Sequence, residues 1–438
     1  MEWIGQLKPY KYQFQTVEQI IDEDESKIAL YWDMGTGKTM AGAELVAQWK
    51  SGCNLVICQK SKIKDWIQHF NLYYPKRFHV LDLTDECLLT AFFEYQNLNS
   101  YSPVIGVINY ELTFRRPELL QLEHFTLLLD ESSLIQNEQA KRTKFVLDLA
   151  DSADHIALLS GTPTGGKYER LYSQIKLLGW PISKKLYWNQ FIIFKYLDTV
   201  GRSVPIVTGY KNINRLKRKM RYYGCRFLKS EEVTDLPEQI YITVNVDAIP
   251  EYKRFRKLNL VIIEDPEIVE LVGDSTLKKM LYERQLSGQY NYKKLQAFKD
   301  LVESTDDRLI VFYNFTAELE SLMKLVKNVK PISIVNGSIK DLNAYEQYSN
   351  SVTFIQYQAG AMGLNLQLAN KVIYFTPPLS SELFEQSKKR IHRIGQNNTC
   401  FYYQLIVDGS IEEHIYKTLE KRQNYTERLF ENDTRKKV

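Results

Sequence analysis

Short, uninterrupted apolar runs rich in β-branched residues recur along the chain, separated by longer stretches of helical periodicity. The first part carries KIALYW (27–32), NLVICQ (54–59), VIGVIN (104–109), FTLLLD (125–130) and HIALLS (155–160). Runs of this length without alternation predict strands buried on both faces, as in a parallel sheet covered by helices. Near Trp180 the rhythm gives way to an aromatic and basic segment. It resumes with RLIVFYN (308–314), ISIVN (332–336), VTFIQ (352–356), KVIYF (371–375) and CFYYQLIV (400–407). The pattern predicts an α/β protein of two parallel-sheet lobes in tandem with a short helical insertion between them. The expected boundaries are 1–179 for the first lobe, 180–235 for a basic helical insertion and linker, and 236–438 for the second lobe. Within the second lobe a small helical segment is expected near 250–296 and a terminal helix near 410–432.

Composition changes this picture little. A chain of 438 residues, 44% hydrophobic and 25% charged, is long enough for more than one core. The net charge of +4 excludes a histone-like tail and confines any nucleic-acid surface to a local patch. Five cysteines, without CxxC pairs, support neither a disulfide framework nor a zinc site. The N-terminal MEWIGQLKPYKYQF lacks the apolar core of a signal peptide, and no run approaches the roughly 18 apolar residues of a membrane span. The expectation is a cytoplasmic protein that does not enter a membrane.

The sharpest chemical signal is DMGTGKT, Asp33 to Thr39, between the strand-like KIALYW and the helical MAGAELVAQW. Gly35 and Gly37 let the backbone turn so that its N–H groups, with that of Thr36, face phosphate oxygens. Lys38 adds a point charge, and the Thr39 hydroxyl suits Mg²⁺. Trp32 stands where the full GxxxxGK[ST] pattern has its first glycine. Phosphoryl transfer on such a loop needs a carboxylate at the end of a second buried strand, and LLLDESS supplies Asp130 for the metal and Glu131 as general base.

Two basic stretches remain. QSKKRIHRIGQ (386–396) has buried-type residues at Ile391 and Ile394, which predict a helix presenting Arg390 and Arg393 on one face, suited to an anion. Between Lys211 and Lys229 stand eight Lys or Arg and no acid. That segment is either the outer face of a helix or a phosphate-contacting element.

Taken in order, LKPYKYQ, DMGTGKT, LVICQKSKIKDW, VINYE, LLLDESSLIQN, LLSGTP, LIVFYNF, QAGAMGLNL and QSKKRIHRIGQ resemble the ordered motifs of superfamily 2 helicases and translocases, and most of all the Swi/Snf-type ATPase motors. The resemblance spans about residues 7 to 420, with KSKIKDW, FLKSEEVTDLP and RIHRIGQ as its most specific parts. It implies two RecA-like lobes, ATP and Mg²⁺ in the cleft, and DNA across both. It further implies that Arg390 and Arg393 act as arginine fingers on the γ-phosphate and that Gln13 reads adenine. Ser160, Gly161 and Thr162 would link hydrolysis to lobe movement, and Gly363 and Asn365 would form the second lobe's ATP-side loop. Lys60, Ser61, Asn109, Tyr110 and Gly337 match positions that contact the DNA backbone.

Some positions depart from the family pattern. Ser133 replaces the histidine of a DEAH motif, Gln59 stands at a usual proline, Ala361 replaces a glycine, and Gln356 and Tyr357 replace a Ser-Thr pair. The expected function is an ATP-dependent motor that moves along or unwinds double-stranded or forked DNA in replication, recombination or repair, with proteins of those processes as partners. The compact size resembles phage or mobile-element forms, for which the compartment is the host cytoplasm, and the family favours a monomer. An ATP-switched DNA clamp or adaptor with slow hydrolysis, and an RNA-directed helicase, are the competing readings.

Overall fold

The computed structural model describes residues 1–97, 103–199, 202–233, 235–264, 268–360 and 364–430. Met1–Val233 with Asn424–Val438 form one compact unit, and Thr234–Gln423 form the other.

In the first unit a helix α1 (Lys11–Asp22) precedes β1 (Lys27–Trp32), α2 (Lys38–Trp49), β2 (Cys53–Cys58), α3 (Ile63–Tyr73), β3 (His79–Asp82), β4 (Val104–Asn109), β5 (Phe125–Asp130) and β6 (Ala153–Ser160). After two further helices come a hairpin, β7 (Ile192–Thr199) and β8 (Arg202–Tyr210), the helix Ile213–Tyr222, and β9 (Cys225–Leu228). The sheet order is β3-β4-β2-β5-β6-β1-β9. Every pairing in it is parallel. Successive side chains of a strand face opposite ways, and the two cores show this directly. Leu55, Ile57, Leu127 and Leu129 enter one cluster. Val56, Cys58 and Leu128 enter the other, beneath α2 and α3. Each such leucine, removed from water, contributes about 1.5–3 kcal/mol.

The second unit holds β10 (Gln239–Val246), a hairpin of β11 (Leu260–Ile263) and β12 (Val269–Val272), then β13 (Leu309–Tyr313), β14 (Ile332–Val335), β15 (Lys340–Asp341), β16 (Val352–Gln356), β17 (Lys371–Tyr374) and β18 (Cys400–Val407). Its main sheet runs β10-β18-β17-β13-β16-β14-β15. Only β15 is antiparallel to its neighbour. Val311, Phe354, Ile373 and Leu405 pack on one face of this sheet. Ile310, Phe312, Ile355, Val372 and Tyr402 pack on the other.

All ten strands expected from apolar runs are present, shifted at their ends by at most two residues. The strands that gave no such run are edge strands or hairpins. β3 is half exposed, and β10 alternates exposed and partly covered positions because only one neighbour flanks it. The 180–235 stretch combines the helices Lys184–Phe191 and Ile213–Tyr222 with the β7–β8 hairpin, and β9 joins the first sheet beside β1. In the Ile213–Tyr222 helix, Leu216 and Met220 are buried while Arg215, Arg218 and Lys219 are exposed. Near 250–296 the helices Pro250–Leu258 and Thr276–Ser287 flank the second hairpin, and the last helix is Ile411–Phe430. No helix among the described residues is long and apolar enough to cross a membrane.

The second unit is pinned by a buried ion pair. Lys294 Nζ donates to both carboxylate oxygens of Glu412, at 2.6 and 2.8 Å, with side chains 0% and 1% exposed. Burial pushes the Lys294 pKa down and that of Glu412 up, so each charge is tolerated only because the other is present. Lys294→Met should therefore destabilise the protein by about 3–5 kcal/mol, whereas Lys294→Met with Glu412→Leu should recover most of that loss. Denaturant melts of the two variants beside the parent check this.

Candidate nucleotide site

In a parallel sheet all carboxyl ends point to one edge. Because β6 lies between β5 and β1, three loops distant in sequence meet there. The loop after β1 is Asp33–Gly37, and α2 starts at Lys38 with Gly37 as its N-cap at φ 74°. Gly35 is likewise left-handed at φ 85°. A side chain at 37 is excluded twice, by that φ and because a Cβ would lie 2.2 Å from Gln13 Nε2. Thr36 Oγ1 donates to Asp33 O at 2.7 Å, and Lys38 Nζ donates to Trp32 O at 2.9 Å and Asp33 O at 3.0 Å. The ammonium thus arches over its own loop, whose N–H groups at the start of α2 make an anion cradle.

Gln13 is 1% exposed. Its Oε1 accepts from Tyr10 N at 2.9 Å and its Nε2 donates to Thr36 O at 3.0 Å. Tyr12 Oη donates to the same Thr36 carbonyl at 2.9 Å. The segment expected to read a base is thus fastened to the phosphate-type loop, and the carboxamide keeps one further donor and one further acceptor position. From the other side, Asp33 accepts from Ser230 N at 3.3 Å and Ser230 Oγ at 3.1 Å, so FLKSEEV is tied to the same loop.

At the end of β5, Asp130 Oδ2 accepts from Trp66 Nε1 at 2.9 Å and Oδ1 accepts from Glu131 N at 3.1 Å. Burial raises the Asp130 pKa. The Trp66 hydrogen bond and the positive charges of Lys38 and Lys62 pull against it, which places Lys38 and Asp130 in one electrostatic neighbourhood. Glu131 adopts φ 51°, a conformation a non-glycine residue keeps only when its surroundings enforce it. The third loop begins with Ser160, whose Oγ accepts from Thr162 N at 3.2 Å. A Cβ on Gly161 would lie 3.0 Å from Met34 Cγ and 3.4 Å from Lys38 Nζ, so this turn abuts the lysine.

In the second unit the helix expected through QSKKRIHRIGQ stops early. It spans Ser381–Lys388, and Arg390 and Arg393 lie in turns beyond it. Tertiary partners reach the carbonyls there: Tyr402 Oη donates to Lys388 O at 2.9 Å, leaving His392 N only a long bond of 3.4 Å to the same oxygen, and Leu366 N donates to Arg390 O at 3.1 Å. Gln396 Nε2 then donates to the carbonyls of Gln367, Ala369 and Ile391 at 3.2, 2.8 and 3.3 Å. Arg390 is 2% exposed and so lies inside the fold, not on a solvated face. Arg393 Nη1 hydrogen-bonds Asn365 Oδ1, so two of the expected residues meet, and burial lowers the Arg393 pKa. Gly363 lies outside the described residues.

The backbone-contact candidates fall into two groups. Lys60 and Ser61 are exposed at a 3₁₀ turn, Lys60–Lys62, that precedes α3, and Gly337 sits in the open turn before β15 with nothing near its Cβ position. Asn109 and Tyr110 are buried. Asn109 Nδ2 donates to Glu111 Oε2 at 3.0 Å, and Tyr110 Oη donates to Asp130 O at 2.9 Å, so Tyr110 buttresses the acid-bearing strand. Tyr110 is 0% exposed over its whole length, so this structure does not present it to a nucleic acid, contrary to the expectation for it. Sequence reasoning assigned no role to Trp66 or Gln174. Trp66 had a signal, as the last residue of KSKIKDW, whereas Gln174 in YSQIKL had none.

The SNF2-related domain family model matches residues 12–293, and the helicase conserved C-terminal domain model matches residues 293–395. The first match alone covers more than half the chain, so the chain belongs to the SNF2-related family. It is 22% identical over 448 residues to the Caenorhabditis elegans homolog of SWI/SNF-related matrix-associated actin-dependent regulator of chromatin subfamily A-like protein 1, covering 94% of this chain and 60% of that protein. To the mouse DNA annealing helicase and endonuclease ZRANB3 it is 22% identical, over 90% of this chain and 38% of that one. The Sulfolobus solfataricus SWI2/SNF2 ATPase core in complex with dsDNA is 20% identical, with 98% of this chain and 94% of that one covered at a TM-score of 0.45. The chain spans 60% or less of the length of these two curated relatives.

The Trp66 bond stabilises the charged form of Asp130, so removing it must raise the pKa further. Trp66→Phe should shift the Asp130 carboxyl titration upward, read by ¹³C NMR of the labelled side chain. An unshifted or lowered midpoint would contradict this account of the acid.

Proposed function

We propose that the protein is an ATP-dependent DNA motor, coupling hydrolysis to movement along or unwinding of double-stranded DNA. The observation that carries this reading is the meeting, at one sheet edge, of a glycine loop bearing Lys38 and the strand end that bears Asp130 and Glu131, in a chain of the SNF2-related family. Two relatives support it: one is a DNA annealing helicase and endonuclease, and another, from Bacillus subtilis, is described as an ATP-dependent helicase.

In this reading the N–H groups of Gly35, Thr36, Gly37 and Lys38 cradle the phosphates and Lys38 balances their charge. Thr39 and Asp130 offer the oxygen donors that Mg²⁺ takes, and that ion, when bound, would neutralise phosphate charge. Glu131 orients and deprotonates the attacking water, while Gln13 and the Asn365 loop act toward the nucleotide. Arg390 and Arg393 supply guanidinium charge to the phosphoryl group as it transfers. Ser160, Gly161 and Thr162, against Lys38, transmit the state of the site. Lys60, Ser61 and Gly337, all exposed, follow phosphates without reading bases, which suits a motor indifferent to sequence, while Asn109 and Tyr110 are buried and Tyr110 supports the acid-bearing strand from within. We assign the protein to replication, recombination or repair, as a compact, phage-like, cytoplasmic monomer acting on duplex or forked DNA.

The test is ATP turnover with and without duplex DNA, single strands and RNA. Duplex or forked DNA should stimulate most. Lys38→Ala and Glu131→Gln should abolish turnover, and Arg393→Ala should lower kcat on the order of 10³-fold. Turnover indifferent to DNA, or a fully active Lys38→Ala variant, would refute the reading.

A further inference from the structure

Behind the nucleotide site, the chain buries a carboxamide that none of the motifs contains. Gln174 lies in the helix Tyr172–Leu177 and is 0% exposed. Its Oε1 accepts from Tyr31 Oη at 3.0 Å and from Ser132 Oγ at 2.9 Å, and its Nε2 donates to Pro163 O at 2.8 Å. Tyr31 belongs to β1, Ser132 follows Glu131, and Pro163 closes the turn that begins at Ser160. The amide's orientation is fixed by chemistry: a carbonyl can only accept, so the NH₂ must face Pro163, leaving the oxygen for the two hydroxyls. Two acceptor positions and one donor on one compact side chain is a specification that glutamate, always lacking the donor when charged, and leucine, lacking all three, do not meet.

The partners are one strand and two loops of the site: β1 at Tyr31, two residues before the glycine loop, the turn after Glu131, and the turn after Ser160. One peptide bond from Ser132 stands Glu131, held at φ 51°, and the Ser160–Pro163 turn presses Gly161 toward Lys38. Gln136 reinforces the same joint, donating to Pro163 O at 3.5 Å while accepting from Arg170 Nη1 at 2.9 Å. We propose that Gln174 is a positioning residue for hydrolysis: it fixes the distance between the Glu131 turn and the turn beside Lys38, and so sets where the base stands relative to the phosphates. It touches neither nucleotide nor water itself. This rests on the ATPase reading above.

A residue of this kind acts on the chemical step more than on nucleotide binding, and that separates it from a residue that merely fills the core. Gln174→Leu should lower kcat by about tenfold or more while changing the KM for ATP by less than about threefold. Ser132→Ala should produce the same kcat-selective loss, and the double variant should be no worse than Gln174→Leu alone, because both cut one linkage. Gln174→Glu, which keeps the acceptors and the shape, should fall between parent and Gln174→Leu. Thermal melts accompany each measurement. If Gln174→Leu does not fold, Ser132→Ala and Gln174→Glu decide: a kcat-selective loss supports the assignment, and parental kcat overturns it. Parental kcat in a folded Gln174→Leu variant, or a loss confined to KM, overturns it as well. A parent chain that turns over no ATP removes the ATPase reading and this inference together, whereas an active parent with an unaffected Gln174→Leu removes this inference alone.

Discussion

The hydrogen-bonded insertion of β6 between β5 and β1 is the constraint on which the first unit's chemistry depends. Parallel pairing puts the carboxyl ends of these three strands in a row, so Asp33–Lys38, Asp130–Glu131 and Ser160–Thr162, up to 129 residues apart in the chain, become neighbours. Both faces of the sheet are covered, which excludes water and makes the register a one-way choice: slipping a strand by one residue would exchange its two sets of apolar side chains. The edge is then left with backbone N–H groups, an ammonium and two carboxylates in a setting of low dielectric, where their mutual effects are strong.

The loops at that edge are held from behind largely by residues of other motifs. Trp66 fixes Asp130 and Tyr110 supports the carbonyl of the same residue. Gln13 and Tyr12 converge on Thr36, and Ser230 holds Asp33. The backing is polar and buried, so each bond, once made, is costly to lose. A phosphate cradle assembled from glycines would otherwise be the most deformable part of the sheet. The second unit follows the same logic with different groups: the Gln396 amide lies within reach of the carbonyls of Gln367 and Ala369 in the loop before β17 and of Ile391 in the turn after Arg390, tying the two segments together, and Asn365 engages Arg393.

The buried Lys294–Glu412 pair shows the opposite use of polarity. It lies far in sequence from any motif and links the helix Tyr292–Glu303 to Ile411–Phe430. Glu412 also accepts from Val407 N at 3.0 Å, so the pair anchors the end of β18. Lys294 Nζ stands 5.2 Å from the Phe375 ring centroid, which offers the ammonium its negative face. Replacing both ions by apolar residues is tolerable in principle, whereas removing one leaves the other charge buried without its partner.

By itself the sequence determined the two sheets and the chemistry of the nucleotide loop, because strands buried on both faces must be continuously apolar and a phosphate-binding turn must place glycines and lysine at fixed spacing. It also placed Lys38 at the start of the helix that follows the first apolar run, and Asp130 and Glu131 at the end of another such run. Local periodicity could not determine where the helix before Arg390 stops, because Tyr402 and Leu366, which take its carbonyls, come from other parts of the fold. Nor could it show that Tyr110 faces inward, that Gln13 is fastened to Thr36, or that Gln174 joins β1 to two loops. Those are contacts between residues distant in sequence, and only the packing of the folded chain selects which polar groups are left to satisfy one another.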